Sequence, residues 1–226
     1  MSEIALAARR RASSAEQQIR DALVAFLHCE LPQARVIHEL VTGGCRADVA
    51  AVEAERLMLF EIKSEKDTLD RLDTQMKEFA QVGHHAFVVA HEKWFDRTPY
   101  DNGAPRFAWP RNGYHGGVWA YPKASASGTY TEQIYQWRLP RISLAQPRAR
   151  NLLSLLWKDE LLAECAEHQI KVNSRTRNPD LVDLLAYRLT GQQIARAVCR
   201  QLRARPVLEA DPPISAKAAG IPVREG

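Results

Sequence analysis

The sequence predicts an α/β core flanked by helices, followed by a small all-α C-terminal region. Three observations predict it. Between residues 13 and 92, amphipathic stretches alternate with short apolar runs broken by turn residues. Within those segments the hydrophobic period switches between 3.6 and 2. Beyond residue 150 the strand signals stop and only helical patterns follow.

The elements follow in order. Ser13 to Gln17 opens a helix, because Ser13 with Glu16, or Ser14 with Gln17, fits a capping box. That helix runs to about Cys29 with Ile19, Leu23, Phe26 and Leu27 on one face, and Pro32 ends it. Ala34 to Val41 reads as a strand and Gly43-Gly44 as a turn. Arg46 to Val52 and Leu57 to Ser64 form two more strands. Thr68 to Val82 is a second helix with Leu69, Leu72, Met76 and Phe79 as its buried stripe, stopped by Gly83. Ala86 to Ala90 is a buried strand. Phe95 to Tyr114, rich in Pro, Gly and Asn, reads as a long loop; Val118 to Tyr121 and Gln133 to Trp137 read as late strands. Arg138 to Arg150 reads as a linker. Helices are then predicted over Asn151 to Glu167, from Asn178-Pro179-Asp180, and from the capping box Thr190 to Gln193 to about Arg203. The expected organisation is a domain over 13–140, a helical region over 151–205 and a disordered tail over 206–226.

Length and composition bound the possibilities. A chain of 226 residues holds one or two domains at about 150 residues each. Its 46% hydrophobic and 26% charged residues exclude wholesale disorder and collagen-like repeats. No apolar run approaches the roughly 18 residues needed to span a bilayer, and the N-terminal arginines have no apolar core behind them, so neither a membrane span nor a signal peptide is expected. The four cysteines are scattered, with no C-x-x-C pair, which points to a reduced, cytoplasmic protein without a zinc site. Residues 141–205 carry 12 Lys/Arg against 6 Asp/Glu, whereas the flanking segments are slightly acidic. A local basic excess is the electrostatic footprint of a phosphate backbone, or else a solvated helix surface.

The chemistry concentrates on one hairpin. In the strand Leu57 to Lys63, Leu57, Leu59, Glu61 and Lys63 share a face, and Met58, Phe60 and Ile62 share the other. Closing the hairpin at Glu53 to Arg56 sets Val52 opposite Leu57 and therefore Asp48 opposite Glu61. Opposed Cβ atoms in an antiparallel pair lie about 4.5–5.5 Å apart, so two carboxylates there repel unless one is protonated or a cation lies between them. Mg²⁺ suits the pair, since it takes one or two carboxylates plus phosphate oxygens. Lys63, two residues on, can hold a scissile phosphate or an attacking water. Gln75 falls on the stripe Thr68, Leu72, Gln75 and Phe79 of the second helix, where its amide needs partners. The rival reading is an exposed hairpin with a surface Glu–Lys pair.

The pattern Asp48, then Glu61-Ile62-Lys63, with Gln75 on the following helix, resembles the PD-(D/E)xK nuclease superfamily, including its VRR-NUC-like and MmcB-like branches, over roughly residues 13–92. Over most of its length the chain also resembles short bacterial and phage proteins of unassigned function. The resemblance implies a restriction-endonuclease-like mixed sheet and a Mg²⁺-dependent DNA endonuclease, with Mn²⁺ as an alternative ion. It implies that Asp48, Glu61 and the backbone carbonyl of Ile62 hold the metal, and that Lys63 positions water or phosphate. A glutamate from the first helix often joins the site in this family; Glu16 is the candidate and Glu39 the second choice. Ala47 stands where the family pattern has proline.

Leu155 to Leu189 is similar to a SAP-type helix–loop–helix, a module that binds duplex DNA through its backbone. Lys158, Lys171, Arg175 and Arg177 are the expected nucleic-acid contacts. The fit is partial, because Asn173 to Arg177 replace the usual Gly and Lys. DNA is the expected partner, with RNA, a homodimer or a protein partner compatible. His84, His85 and His91 are read as polar strand ends, since His84 and His85 point to opposite sides. Trp94, Trp109, Trp119 and Trp137 are read as packing residues before base-stacking ones. The alternative function is a nuclease-fold DNA-binding or regulatory protein without turnover.

Overall fold

The computed structural model describes residues 14–96, 106–107, 117–121, 137–141, 146–207 and 209–214. The elements are α1 (Ser14–Glu30), β1 (Arg35–Thr42), β2 (Cys45–Val52), β3 (Leu57–Lys63), α2 (Leu72–Val82), β4 (His85–His91), β5 (Phe95–Asp96), β6 (Arg106–Phe107), β7 (Val118–Tyr121), α3 (Ala149–Leu153), α4 (Lys158–Glu167), α5 (Asn178–Arg188) and α6 (Gly191–Ala204), with a 3-10 turn at Glu92–Trp94. The main sheet has the order β1-β2-β3-β4-β7; β1, β2 and β3 are antiparallel neighbours, and β3, β4 and β7 run parallel. Helices cover both faces, so the α/β class read from the sequence, and the mixed sheet that the resemblance implies, are observed.

Alternation along the strands builds two cores. On one face Met58, Phe60 and Ile62 pack with Val49, Ala51, Phe87 and Val89 under α1, whose Ile19, Leu23, Phe26 and Leu27 are the expected stripe. Aromatic rings fill this layer: Phe60 stacks on Phe87 at 5.0 Å, and Trp119 stacks on Trp137 at 5.6 Å. Such pairs add about 0.5–1.5 kcal/mol beyond area burial. Trp119 and Trp137 are thus core residues, while Trp109 lies outside the described residues. On the other face Leu57 and Leu59 meet Leu72, Met76 and Phe79 of α2.

That second core continues without a break into Leu152, Leu161, Leu185, Ile194 and Leu202 of the C-terminal helices. Arg148 N–H donates to the Gln81 carbonyl at 3.1 Å, and Asn151 bonds Gln81 at 2.8 Å. The segment read as a linker therefore leads directly onto α2. Arg35, fully buried on β1, donates to the carbonyls of Leu202, Arg203 and Arg205 at 2.9, 3.1 and 2.6 Å. It satisfies the open C-terminal end of α6, where carbonyls lack helical partners.

Several expectations change. Helix α2 starts at Leu72, because Ser64 N–H and Oγ both bond the Asp67 carboxylate and fold 64–67 into a turn; Thr68 is exposed and belongs to no stripe. The helix read over Asn151 to Glu167 is two helices, α3 and α4, and the second restarts where Trp157 N–H donates to Glu160 at 2.7 Å. Within the tail read as disordered over 206–226, residues 209–211 instead pair with β1: His38 N–H donates to the Glu209 carbonyl at 2.8 Å, and Asp211 N–H to the Val36 carbonyl at 2.9 Å. The edge strand has open backbone groups, and residues 209–211 satisfy them. The Ser13 cap, Gln133 to Gln136 and residues 215–226 lie outside the described residues. Among the described residues no helix is long and apolar enough to cross a membrane. All four cysteines are free thiols.

Candidate active site

The site forms where the sheet opens. The β2–β3 register has Val52 facing Leu57 and Val49 facing Phe60, as the hairpin closure predicts. The ladder stops there. Asp48 does not pair with Glu61 across the strands; its Oδ2 accepts a hydrogen bond from Ile62 N–H at 2.7 Å. On the other side of β2 the β1 ladder is also interrupted at this level: His38 faces Val49 and Leu40 faces Ala47, while Glu39 between them has φ +58°. A left-handed, non-glycine residue costs about 1–3 kcal/mol and persists only where its surroundings over-determine it.

Those surroundings are arginines. Arg20, buried on α1, bonds Glu16 at 2.7 Å and Glu39 at 3.0 Å, donates to the Asp48 carbonyl at 2.6 Å and lies 3.7 Å from Asp48 Oδ1. Arg46 holds the other Glu39 oxygen at 2.6 Å. Three carboxylates from α1, β1 and β2 thus converge on one guanidinium. The neighbouring charges and hydrogen bonds raise the Arg20 pKa against the opposing effect of burial.

Glu61 and Lys63 share the α2 face of β3, and Gln75 on α2 meets them. Glu61 Oε1 accepts from Lys63 Nζ at 2.8 Å and from Gln75 Nε2 at 2.6 Å, and Lys63 Nζ reaches Gln75 Oε1 at 3.3 Å. Glu61 Oε2 is buried and has no hydrogen-bond partner. Burial pushes the Asp48 carboxyl well up; the Glu61 charge adds to the shift, while Ile62 N–H and Arg20 oppose it. Burial likewise raises Glu61 against the pull of Lys63 and Gln75.

The structure thus gathers Glu61, Lys63 and Gln75 on one another and sets Asp48 on Ile62, which lies between Glu61 and Lys63 in the chain. Glu16 joins them through Arg20. Arg20 is the residue that the sequence reading missed, although its signal is present: Glu16, Arg20, Leu23 and Leu27 share helical spacing, which places a charged pair at the head of a buried stripe. Among the described residues no three His, Cys, Asp or Glu side chains are grouped as metal ligands. The donor set is two carboxylates, and each has one oxygen fixed by the protein. The second oxygen is unpartnered in Glu61 and held by a 3.7 Å ion pair in Asp48. A Mg²⁺ ion, which keeps several waters, fits such a set.

The basic C-terminal segment is less available than its charge suggests. Arg177 pairs with Asp180 at 3.0 Å, Arg196 with Glu55 at 2.6 Å, Arg200 with Glu164 and Arg205 with Glu160 at 2.5 Å. Lys171 and Arg175 are exposed and Lys158 is half-buried, and among the described residues no ion pair engages these three. His84 is buried and accepts from Leu57 N–H at 3.1 Å, which gives it a structural role in the sheet.

A family model described as Bacteriophage P4 protein cII matches residues 9–98, less than half of the chain. No curated protein and no solved structure matches it. The matched span runs from α1 past β4 and contains Glu16, Arg20, Glu39, Asp48, Glu61, Lys63 and Gln75.

Proposed function

We propose that the chain is a cytoplasmic, divalent-cation-dependent nuclease of the PD-(D/E)xK type that cuts DNA phosphodiester bonds internally. One observation carries the reading: a buried, unpartnered carboxylate oxygen on Glu61 stands beside Asp48, Lys63 and Gln75 at an interruption of the sheet. An orphaned buried acceptor is costly, and a cation relieves that cost. Asp48 and Glu61 would hold Mg²⁺, with the Ile62 carbonyl as a further ligand, and the ion would supply an activated water and charge neutralisation at the phosphate.

The chain's own groups do the positioning. Ile62 N–H fixes the Asp48 carboxylate. Gln75 and Glu61 between them hold the Lys63 ammonium on the same face, where it can orient a phosphate oxygen or a water. Arg20 keeps Glu16 and Glu39 from adding uncompensated charge. The test is plasmid nicking in Mg²⁺ or Mn²⁺ by wild type, Asp48→Asn and Lys63→Met, with circular dichroism as the check on folding. Each variant is expected to lose at least about 100-fold in rate, the scale of removing one transition-state contact. A Lys63→Met variant that nicks at the wild-type rate would remove the assignment.

A second reading has its own observation. Lys63 and Arg20 already place a cation on each of the two carboxylates. That favours a DNA-binding or regulatory protein without turnover. Metal-independent DNA binding, with no cleavage in any divalent ion, would select it.

A further inference from the structure

A cleft of about 560 Å³ opens along the outer edge of β1, where the α3–α4 connection and the segment after α6 close over it. That size lies within the roughly 300–1,000 Å³ of small-ligand sites. We propose that this cleft receives an unpaired nucleobase of the strand being cut, stacked on Trp157. The proposal rests on the nuclease reading and adds a substrate-binding site to it.

Its walls select the ligand class. Of the three large apolar side chains left exposed among the described residues, two line this cleft: Val41 at 62% and Trp157 at 54%. Exposed apolar surface gathered in one concavity marks a binding site more than scattered exposure does. The indole is preorganised. The Arg205 guanidinium lies 4.3 Å from its ring centroid, and Arg205 is itself fixed by Glu160 at 2.7 and 2.5 Å and by the Leu155 carbonyl at 2.8 Å. A ligand therefore need not order the ring on binding.

Charge decides between ring and phosphate. Glu39 is paired with Arg20 and Arg46, and Arg205 with Glu160, which leaves Glu209 as a lining charge with no ion pair among the described residues. The lining offers a phosphate or carboxylate no free arginine, and a neutral planar base is accepted. Glu39 also ties the cleft to the site: one of its oxygens holds Arg20, which donates to the Asp48 carbonyl. A base in the cleft is thereby separated from the Asp48 cluster by a single residue of β1.

The test measures binding without cutting. Fluorescence anisotropy in EDTA follows a short single-stranded thymidine oligomer, and an abasic strand of the same length, with full-length wild type, Trp157→Ala and Trp157→Phe. Wild type is expected to prefer the base-bearing strand. Trp157→Ala is expected to lose roughly 5- to 150-fold in affinity for it, the scale of one stacked base, and Trp157→Phe to keep most of the preference. Abasic binding is expected to stay equal in all three, which excludes unfolding as the cause. Equal binding of the thymidine strand by wild type and Trp157→Ala overturns the cleft proposal and leaves the nuclease reading standing. A wild type that binds neither strand overturns the nucleic-acid reading itself.

Discussion

Replacing Arg20 by methionine tests how the site is held. Arg20 contacts three carboxylates at 2.7, 3.0 and 3.7 Å, and the Asp48 carbonyl at 2.6 Å. Removing one partner from a buried ion cluster costs about 3–5 kcal/mol, because the remaining charges stay uncompensated. The partners' side chains keep 21–26% of their surface, so solvent screens part of this loss. The unpaired Asp48 carbonyl returns about 1 kcal/mol to the cost. We expect a loss of about 3 kcal/mol, read as a shift in the urea midpoint at constant slope with the buried Trp119 and Trp137 as fluorescent reporters. Adding Glu16→Gln to Arg20→Met is expected to recover part of the loss, since one repelling carboxylate is removed. A loss under about 1 kcal/mol would class Arg20 with ordinary surface pairs and refute its organising role.

Three further outcomes follow from the same contacts. Glu39→Gly is expected to be about 1 kcal/mol more stable than Glu39→Ala, because both lose the ion pairs and only glycine removes the left-handed strain; equal denaturation midpoints would show that φ +58° is not strained. Arg35→Met leaves the Leu202, Arg203 and Arg205 carbonyls without their donor, so a loss of about 3 kcal/mol and early proteolysis of the C-terminal helices are expected, while native-like protease resistance would contradict the latch. Burial lowers His84 to about 4. Its contribution is complete above the unfolded value near 6.5 and is lost as pH falls from there towards 4. Wild type is therefore expected to lose about 2 kcal/mol more than His84→Gln between pH 7 and pH 5, and parallel pH profiles would refute this.

Much of the fold was legible because the strands alternate cleanly. Leu57 to Lys63 announces its two faces, and the polar stretch Glu53 to Arg56 sets the hairpin register, which the structure keeps at Val52–Leu57 and Val49–Phe60. The same alternation places Glu61 and Lys63 together under α2. Local pattern does not reveal where tertiary contacts override it. The 64–67 turn shortens α2 because Asp67 competes for the backbone at Ser64. The 209–211 segment has little apolar content, yet an open strand edge supplies its partners. Local charge overstates the free cations for a related reason: Arg196, Arg200 and Arg205 are committed to acidic residues distant in sequence, such as Glu55 with Arg196. For Arg20, helical spacing marks the pair with Glu16, but its partners Glu39 and Asp48 come from two strands, and their meeting depends on a backbone conformation at Glu39 that no residue-type pattern encodes.

The central claim is that Asp48 and Glu61 form one divalent-cation site. Calorimetric titration of Mn²⁺ into the full-length protein, Asp48→Asn and Glu61→Gln tests it most directly. One equivalent bound by wild type and lost in both variants, each still folded by circular dichroism, is the predicted result. No binding by wild type, or undiminished binding by either variant, would contradict it.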